Sequence, residues 1–199
     1  MSRLGRIVTL SGPSGVGKDT VARAIRQDFP SFYKPINYTT RRCNPGEKPG
    51  VDYHFVDKTT FWNMVANNEF VEYAKVHNHW YGTVNQDLRD AVMSGCDTFI
   101  VIDNQGALSI TKIYPQTIMI YLQYPEGDLA TQIAERLKND PKRKLSNREI
   151  VTRIHTAIEE EGQKHLFNYI VTNPQDEPEA AVYAVRNIIC NELYPDPNR

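Results

Sequence analysis

Residues 6–29, RIVTLSGPSGVGKDTVARAIRQDF, impose a strand, a sharp glycine-rich turn and a helix in direct succession. The β-branched run before Gly12 reads as a short strand, and the apolar residues of VARAIRQDF recur at helical spacing. Between them Gly12, Gly17 and Lys18 fit the pattern G-x-x-x-x-G-K, whose backbone N–H groups cradle phosphate at a helix N-terminus. Pro13, Ser14, Gly15 and Val16 complete the turn. The hydroxyl that usually follows the lysine arrives one position late: Asp19 stands there and Thr20 comes next. A carboxylate at that point can hold magnesium or one of its waters, because hard cations take oxygen ligands and Mg2+ keeps several waters.

Further apolar runs, DTFIVID (97–103), QTIMIYLQ (116–123) and NYIVTN (168–173), alternate with helical patterns. Strands apolar on both faces and separated by helices predict a doubly wound α/β fold with a parallel sheet and ligands at the carboxyl ends of its strands. Residues 38–92 break this rhythm with Thr, Tyr, Gly and charge. They read as short strands and turns around one helix, an insertion with its own small lobe. A second polar stretch, KNDPKRKLSN (138–147), sits between two helices. The expectation is one domain whose core is 1–37, 93–137 and 148–199.

A chain of 199 residues with net charge -1 has no global basic field for nucleic acid or an anionic membrane, so phosphate recognition must be local. No apolar run approaches the roughly 20 residues of a bilayer span, and the expected location is cytoplasmic. Cys43, Cys96 and Cys190 are odd in number and widely spaced, which suits reduced thiols. His77 and His79 have no second ligand pair at metal spacing and read as a loop.

In order along the chain stand GPSG in the first turn, TTR (39–41) with GE (46–47) shortly after, YGT (81–83) and D-x-Q-G (103–106). Together these motifs resemble the guanylate kinases, from about Arg6 to Ile189. The resemblance implies a P-loop kinase with an inserted GMP-binding lobe over 38–92 and a small mobile lid over 138–147. It implies ATP as phosphoryl donor, Mg2+ as cofactor, and GMP and dGMP as acceptors.

Carried over residue by residue, Gly12 to Thr20 hold ATP and Asn173 approaches its adenine, while Lys18, Arg41, Arg136 and Arg153 are the catalytic cations. Asp19 and Asp103 serve the metal through water. The GMP phosphate falls to Arg41, Tyr53 and Tyr81, with Asn37, Asn44 and Glu47 also on the acceptor side and Asp103 beside both substrates. Glu72 and Thr83 read the base. Guanine presents N1–H and N2–H2 donors that one carboxylate accepts together and an O6 that a hydroxyl can serve, whereas adenine would face Glu72 with a lone pair.

This chain departs from the family in four ways. Asn44 replaces a second arginine, although Arg42 lies beside the first; Asn37 replaces a serine that helps hold the acceptor phosphate; Val101 replaces the first acid of an Asp-x-Asp pair; and the lid segment is longer. Two other readings stay open on sequence. One is a kinase of the same fold for another nucleoside or deoxynucleoside monophosphate or for ribose 1,5-bisphosphate, where an Asp after the P-loop lysine also occurs. The other is a non-catalytic guanylate-kinase-like binding module. Taken alone, Glu72 would be an exposed strand residue, Asp103 a helix N-cap and the 138–147 run a solvated face.

Overall fold

The computed structural model describes residues 3–44, 46–76, 78–139, 145–174 and 177–195. His77 and residues 140–144 of the expected lid lie outside that set. The elements are β1 (Ile7–Ser11), α1 (Lys18–Asp28), β2 (Tyr38–Thr39), β3 (His54–Phe55), α2 (Lys58–Ala66), β4 (Phe70–Val76), β5 (His79–Val84) and α3 (Asn85–Met93). They continue with β6 (Thr98–Val101), α4 (Asn104–Ile113), β7 (Ile118–Gln123), α5 (Leu129–Lys138), α6 (Asn147–Gly162), β8 (Tyr169–Thr172) and α7 (Pro178–Leu193). Among the described residues no helix is long and apolar enough to cross a membrane.

One sheet has the strand order β6-β1-β7-β8. β1 and β7 run parallel from Val8 opposite Ile118 to Ser11 opposite Tyr121, and β8 continues parallel to β7 from Tyr169 opposite Ile120. Five consecutive residues of β7, Ile118 to Leu122, are buried, as a strand covered on both faces requires. This is the expected doubly wound α/β architecture. β1 lies between β6 and β7, so its carboxyl end is the switch point at which such sheets bind ligands, and the glycine-rich turn begins there.

The chain divides into two compact units. One comprises Met1–Ile7, Ser31–Ile100 and Gln105–Thr117, and the other Val8–Pro30, Val101–Asn104 and Ile118–Arg199. The first is thus larger than the 38–92 segment that stands out in the sequence, since it also takes in Thr98 to Ile100 of β6. It holds a second sheet of order β3-β2-β5-β4, in which β4 and β5 form an antiparallel hairpin turning at Asn78, a residue with φ 67. Helix α2, capped by the Asp57 carboxylate accepting from the Thr60 N–H at 2.7 Å, brings Phe61 onto Phe70 at 4.8 Å between ring centroids. Gly82 leaves room for that stack, because a Cβ there would come within 2.8 Å of the Phe70 ring.

In the second unit, Val21, Ala22 and Ile25 of α1 and the stripe Ala181, Val185, Ile189 and Leu193 of α7 are buried at helical spacing, and the two helices pack together. Helix α6 starts in a capping box between Ser146 and Glu149.

In the first unit Asp97 secures the start of β6. Its carboxylate, 5% exposed, accepts from the Arg3 guanidinium at 2.6 and 3.1 Å and from the Arg6 backbone N–H at 2.8 Å. Replacing Asp97 by Ala removes the acceptor from a backbone donor as well as an ion pair. The expected loss of stability is about 1.5–3 kcal/mol, measured by urea unfolding.

Candidate functional site

The second unit builds the glycine-rich turn from the inside out. Gly12 has φ 140, and a Cβ there would lie 2.3 Å from the Leu122 carbonyl oxygen, so the turn can hug β7 only without a side chain. Helix α1 is capped by Gly17 at φ 99 with no side-chain cap, which leaves its N-terminus to an anion. The Lys18 ammonium curls over the turn and donates to the carbonyls of Gly12 and Pro13 at 2.5 and 3.0 Å. Asp19 and Thr20 are exposed on the first turn of α1, and the charge of Asp19 acts on Arg26 farther along the helix.

Side chains distant in sequence hold the turn from outside. The Tyr124 hydroxyl donates to the Ser14 carbonyl at 2.9 Å, Arg136 donates to the Gly15 carbonyl at 3.2 Å, and the Asn173 amide donates to the Val16 carbonyl at 2.6 Å. Arg136 also reaches the Asn173 carbonyl at 3.3 Å and stacks over the Tyr124 ring at 4.9 Å. Arg153 donates to the Ser14 hydroxyl oxygen at 2.8 Å. Burial pushes the Tyr124 phenol up to about 12 against the opposing charge of Arg136, so it remains a donor at neutral pH. Asn173, expected from the resemblance at the donor adenine, is 2% exposed with its amide on the turn.

Asp103 follows β6 by two residues, and its backbone carbonyl accepts from the Ser11 hydroxyl at 3.4 Å. The next residue, Asn104, donates to the Glu160 carbonyl at 2.9 Å and so ties this segment to α6. Glu160 was not foreseen. Burial raises its carboxyl to about 7, the charges of Asp103 and Glu159 push the same way, and Lys18 opposes them. A signal for it did exist, since Glu160 stands seven residues after Arg153 on one helix and therefore on the same face.

The first unit gathers the residues expected on the acceptor side into two groups. Arg41 makes two 2.8 Å hydrogen bonds to the Glu47 carboxylate and lies 5.4 Å from the Tyr53 ring centroid. Tyr53 meets Tyr81 edge-on at 5.8 Å, and Glu47 and then Tyr81 hold the Arg41 guanidinium firmly charged. The threonines of the TTR motif have structural work: Thr39 accepts from the Arg41 N–H at 3.2 Å and Thr40 from the Trp80 N–H at 2.9 Å. Asn44 and Arg42 are exposed, and the Asn44 backbone N–H donates to Glu47 at 2.7 Å.

The second group is set by β-sheet register. Glu72 stands opposite Thr83 across β4 and β5, and the buried Thr83 hydroxyl lies 2.6 Å from Glu72 Oε1 and 3.2 Å from Asn37 Oδ1. Tyr81 and Thr83, two apart on β5, share one face. Asn37, expected from the resemblance at the acceptor phosphate, is grouped here with Glu72 and Thr83.

Glu160 gives the second unit a pH signature. Between the ordinary carboxyl value of 4.5 and about 7, the folded chain keeps a proton that the unfolded chain has released, so stability falls as pH rises through that window. Glu160→Gln is expected to abolish this fall. Urea unfolding in EDTA should find the variant more stable than the parent above pH 7 and equal to it below pH 4.5.

Residues 4–192 match the profile of the family described as Guanylate kinase. The guanylate kinase of Carboxydothermus hydrogenoformans is 34% identical, over 94% of this chain and 89% of its own, and that of Latilactobacillus sakei is 36% identical, over 96% and 92%. The crystal structure of guanylate kinase from Anaplasma phagocytophilum superposes with a TM-score of 0.71 at 27% identity, covering 98% of this chain and 89% of that one. With one family profile spanning almost every residue and relatives of the same kind matched nearly end to end, the chain belongs to the guanylate kinase family.

Proposed function

We propose how this chain divides the guanylate kinase reaction, the transfer of a phosphoryl group from ATP to GMP, between its two clusters of residues. The observation that carries the assignment is Glu72 paired with Thr83 across β4 and β5, in the same unit as Arg41, Tyr53 and Tyr81. That unit reads the acceptor: Glu72 takes the guanine N1–H and N2–H2, Thr83 and Asn37 stand at the adjoining edge of the base, and Arg41, Tyr53 and Tyr81 take the phosphate. Glu47 holds Arg41 until the phosphate arrives. These residues address base and phosphate, so dGMP is an acceptor along with GMP.

The donor residues are Gly12 to Thr20, with Lys18 leaving the Gly12 and Pro13 carbonyls for the ATP phosphates. Arg153 and Arg136 already stand against the turn and add positive charge as the phosphoryl group moves. The acceptor phosphate has a second pKa near ~6 and is largely a dianion at neutral pH, so no general base is needed. Alignment and charge neutralisation are what remain for the protein to supply.

Among the described residues no three His, Cys, Asp or Glu side chains cluster as metal ligands. That fits Mg2+, which is usually held by one or two carboxylates together with substrate phosphates and water. Asp103, with Glu160 near enough to feel its charge, and Asp19 on the first turn of α1 are the residues that would hold it. When bound, the ion neutralises the β- and γ-phosphate oxygens.

The reading is tested by ADP release with ATP and Mg2+ against GMP, dGMP, AMP, UMP, CMP and ribose 1,5-bisphosphate, with Lys18→Ala as control. Turnover confined to GMP and dGMP and lost in the control is expected; preference for another acceptor would refute the base assignment. Glu72→Gln should raise the KM for GMP by about 10- to 100-fold and leave the KM for ATP unchanged. Asn44→Arg adds a cation to the phosphate loop and should lower the KM for GMP several-fold, whereas an unchanged or raised KM would show that the phosphate is held by a different set.

A further inference from the structure

Three consecutive carbonyls of the glycine-rich turn, those of Ser14, Gly15 and Val16, accept from Tyr124 just after β7, Arg136 of α5 and Asn173 just after β8. A trans peptide is planar, with its C=O and N–H pointing in opposite directions. Fixing these carbonyls therefore fixes the N–H groups of Gly15, Val16 and Gly17, which point the opposite way within the same peptide planes. Successive backbone N–H groups held in this way form an anion-binding concavity. The Val16 N–H meanwhile rests on the Pro13 carbonyl at 3.3 Å, long for such a bond, so a phosphate oxygen can take it over.

We propose that Tyr124, Arg136 and Asn173 act as a carbonyl brace that pre-organises the turn for the donor phosphates, with Tyr124 and Asn173 as positioning residues. Tyr124 is 5% exposed and Asn173 2%, so neither needs to touch the nucleotide to act. Gly15 and Gly17 complete the fit: a Cβ on Gly15 would lie 2.9 Å from the Tyr124 hydroxyl, and one on Gly17 would lie 2.5 Å from the Asn173 amide nitrogen. The brace thus approaches the turn where side chains are absent. This inference rests on the reading that ATP occupies the turn.

Tyr124→Phe keeps the ring on which Arg136 stacks and removes only the hydroxyl. The expected result is a KM for ATP raised about three- to tenfold, with the KM for GMP unchanged and the Tm lowered by only about 2–4 °C, the cost of one buried hydrogen bond. Asn173→Asp places a carboxylate against the Val16 carbonyl and should raise the KM for ATP further. Titration of a fluorescent ADP analogue without GMP reads the same loss directly. A wild-type KM for ATP in Tyr124→Phe overturns the brace, as does an equal rise for both substrates in the two variants. If the wild type neither binds the ADP analogue nor turns over ATP, the donor-site reading itself fails.

Discussion

Helix α1 begins on a glycine cap. Gly17 sits at φ 99 and offers no side chain to the first backbone donors, so the positive end of the helix stays open to solvent or to an anion. Much of the second unit is arranged around that helix end. β1 delivers the turn at the switch point of the sheet, Gly12 lets it pass against β7, and side chains from three later segments hold its carbonyls away from the anion site. A near-neutral protein can bind a polyanion because the positive potential is local and mostly made of backbone.

The strand, turn and helix of this arrangement could be read directly from residues 6–29, because each follows from local spacing and from what glycine alone allows. The long parallel strands could be read for a similar reason: a strand buried on both faces must be apolar throughout, and β7 is. The brace could not. Tyr124 and Ser14 are 110 residues apart and Asn173 and Val16 are 157 apart, and no local pattern encodes which side chain a given carbonyl will meet. Asn173 shows the limit most clearly. Its motif position drew attention to a base contact, whereas its burial and its bond to Val16 depend on where β8 ends against the turn.

The acceptor side was legible in a different way. Glu72 and Thr83 are unremarkable strand residues until the β4–β5 register sets them opposite one another, and only the ordered family motifs picked them out beforehand. Arg41 illustrates a tension specific to phosphate sites. A guanidinium waiting for a dianion needs a partner in the meantime, and Glu47, six residues on in the same loop, supplies one with matching two-oxygen geometry. Under the proposed assignment, phosphate entry is an exchange of anions on a fixed cation, which favours the dianion over species with less charge. Asn44 keeps only its backbone in this arrangement, consistent with a loop whose order comes from Glu47.

The chain has two tryptophans, Trp62 and Trp80, and both stand in the first unit, edge to face at 4.9 Å with Tyr73 beside them. Tryptophan emission, excited beyond the tyrosine absorption, is therefore a private window onto one half of the molecule. A denaturation curve followed through it describes the first unit, and loss of structure around the glycine-rich turn can pass through that light unseen. Far-ultraviolet dichroism sums the helices of both units but is weighted towards the second, which holds the long helices α6 and α7. Disagreement between the two signals would directly measure how independently the halves come apart.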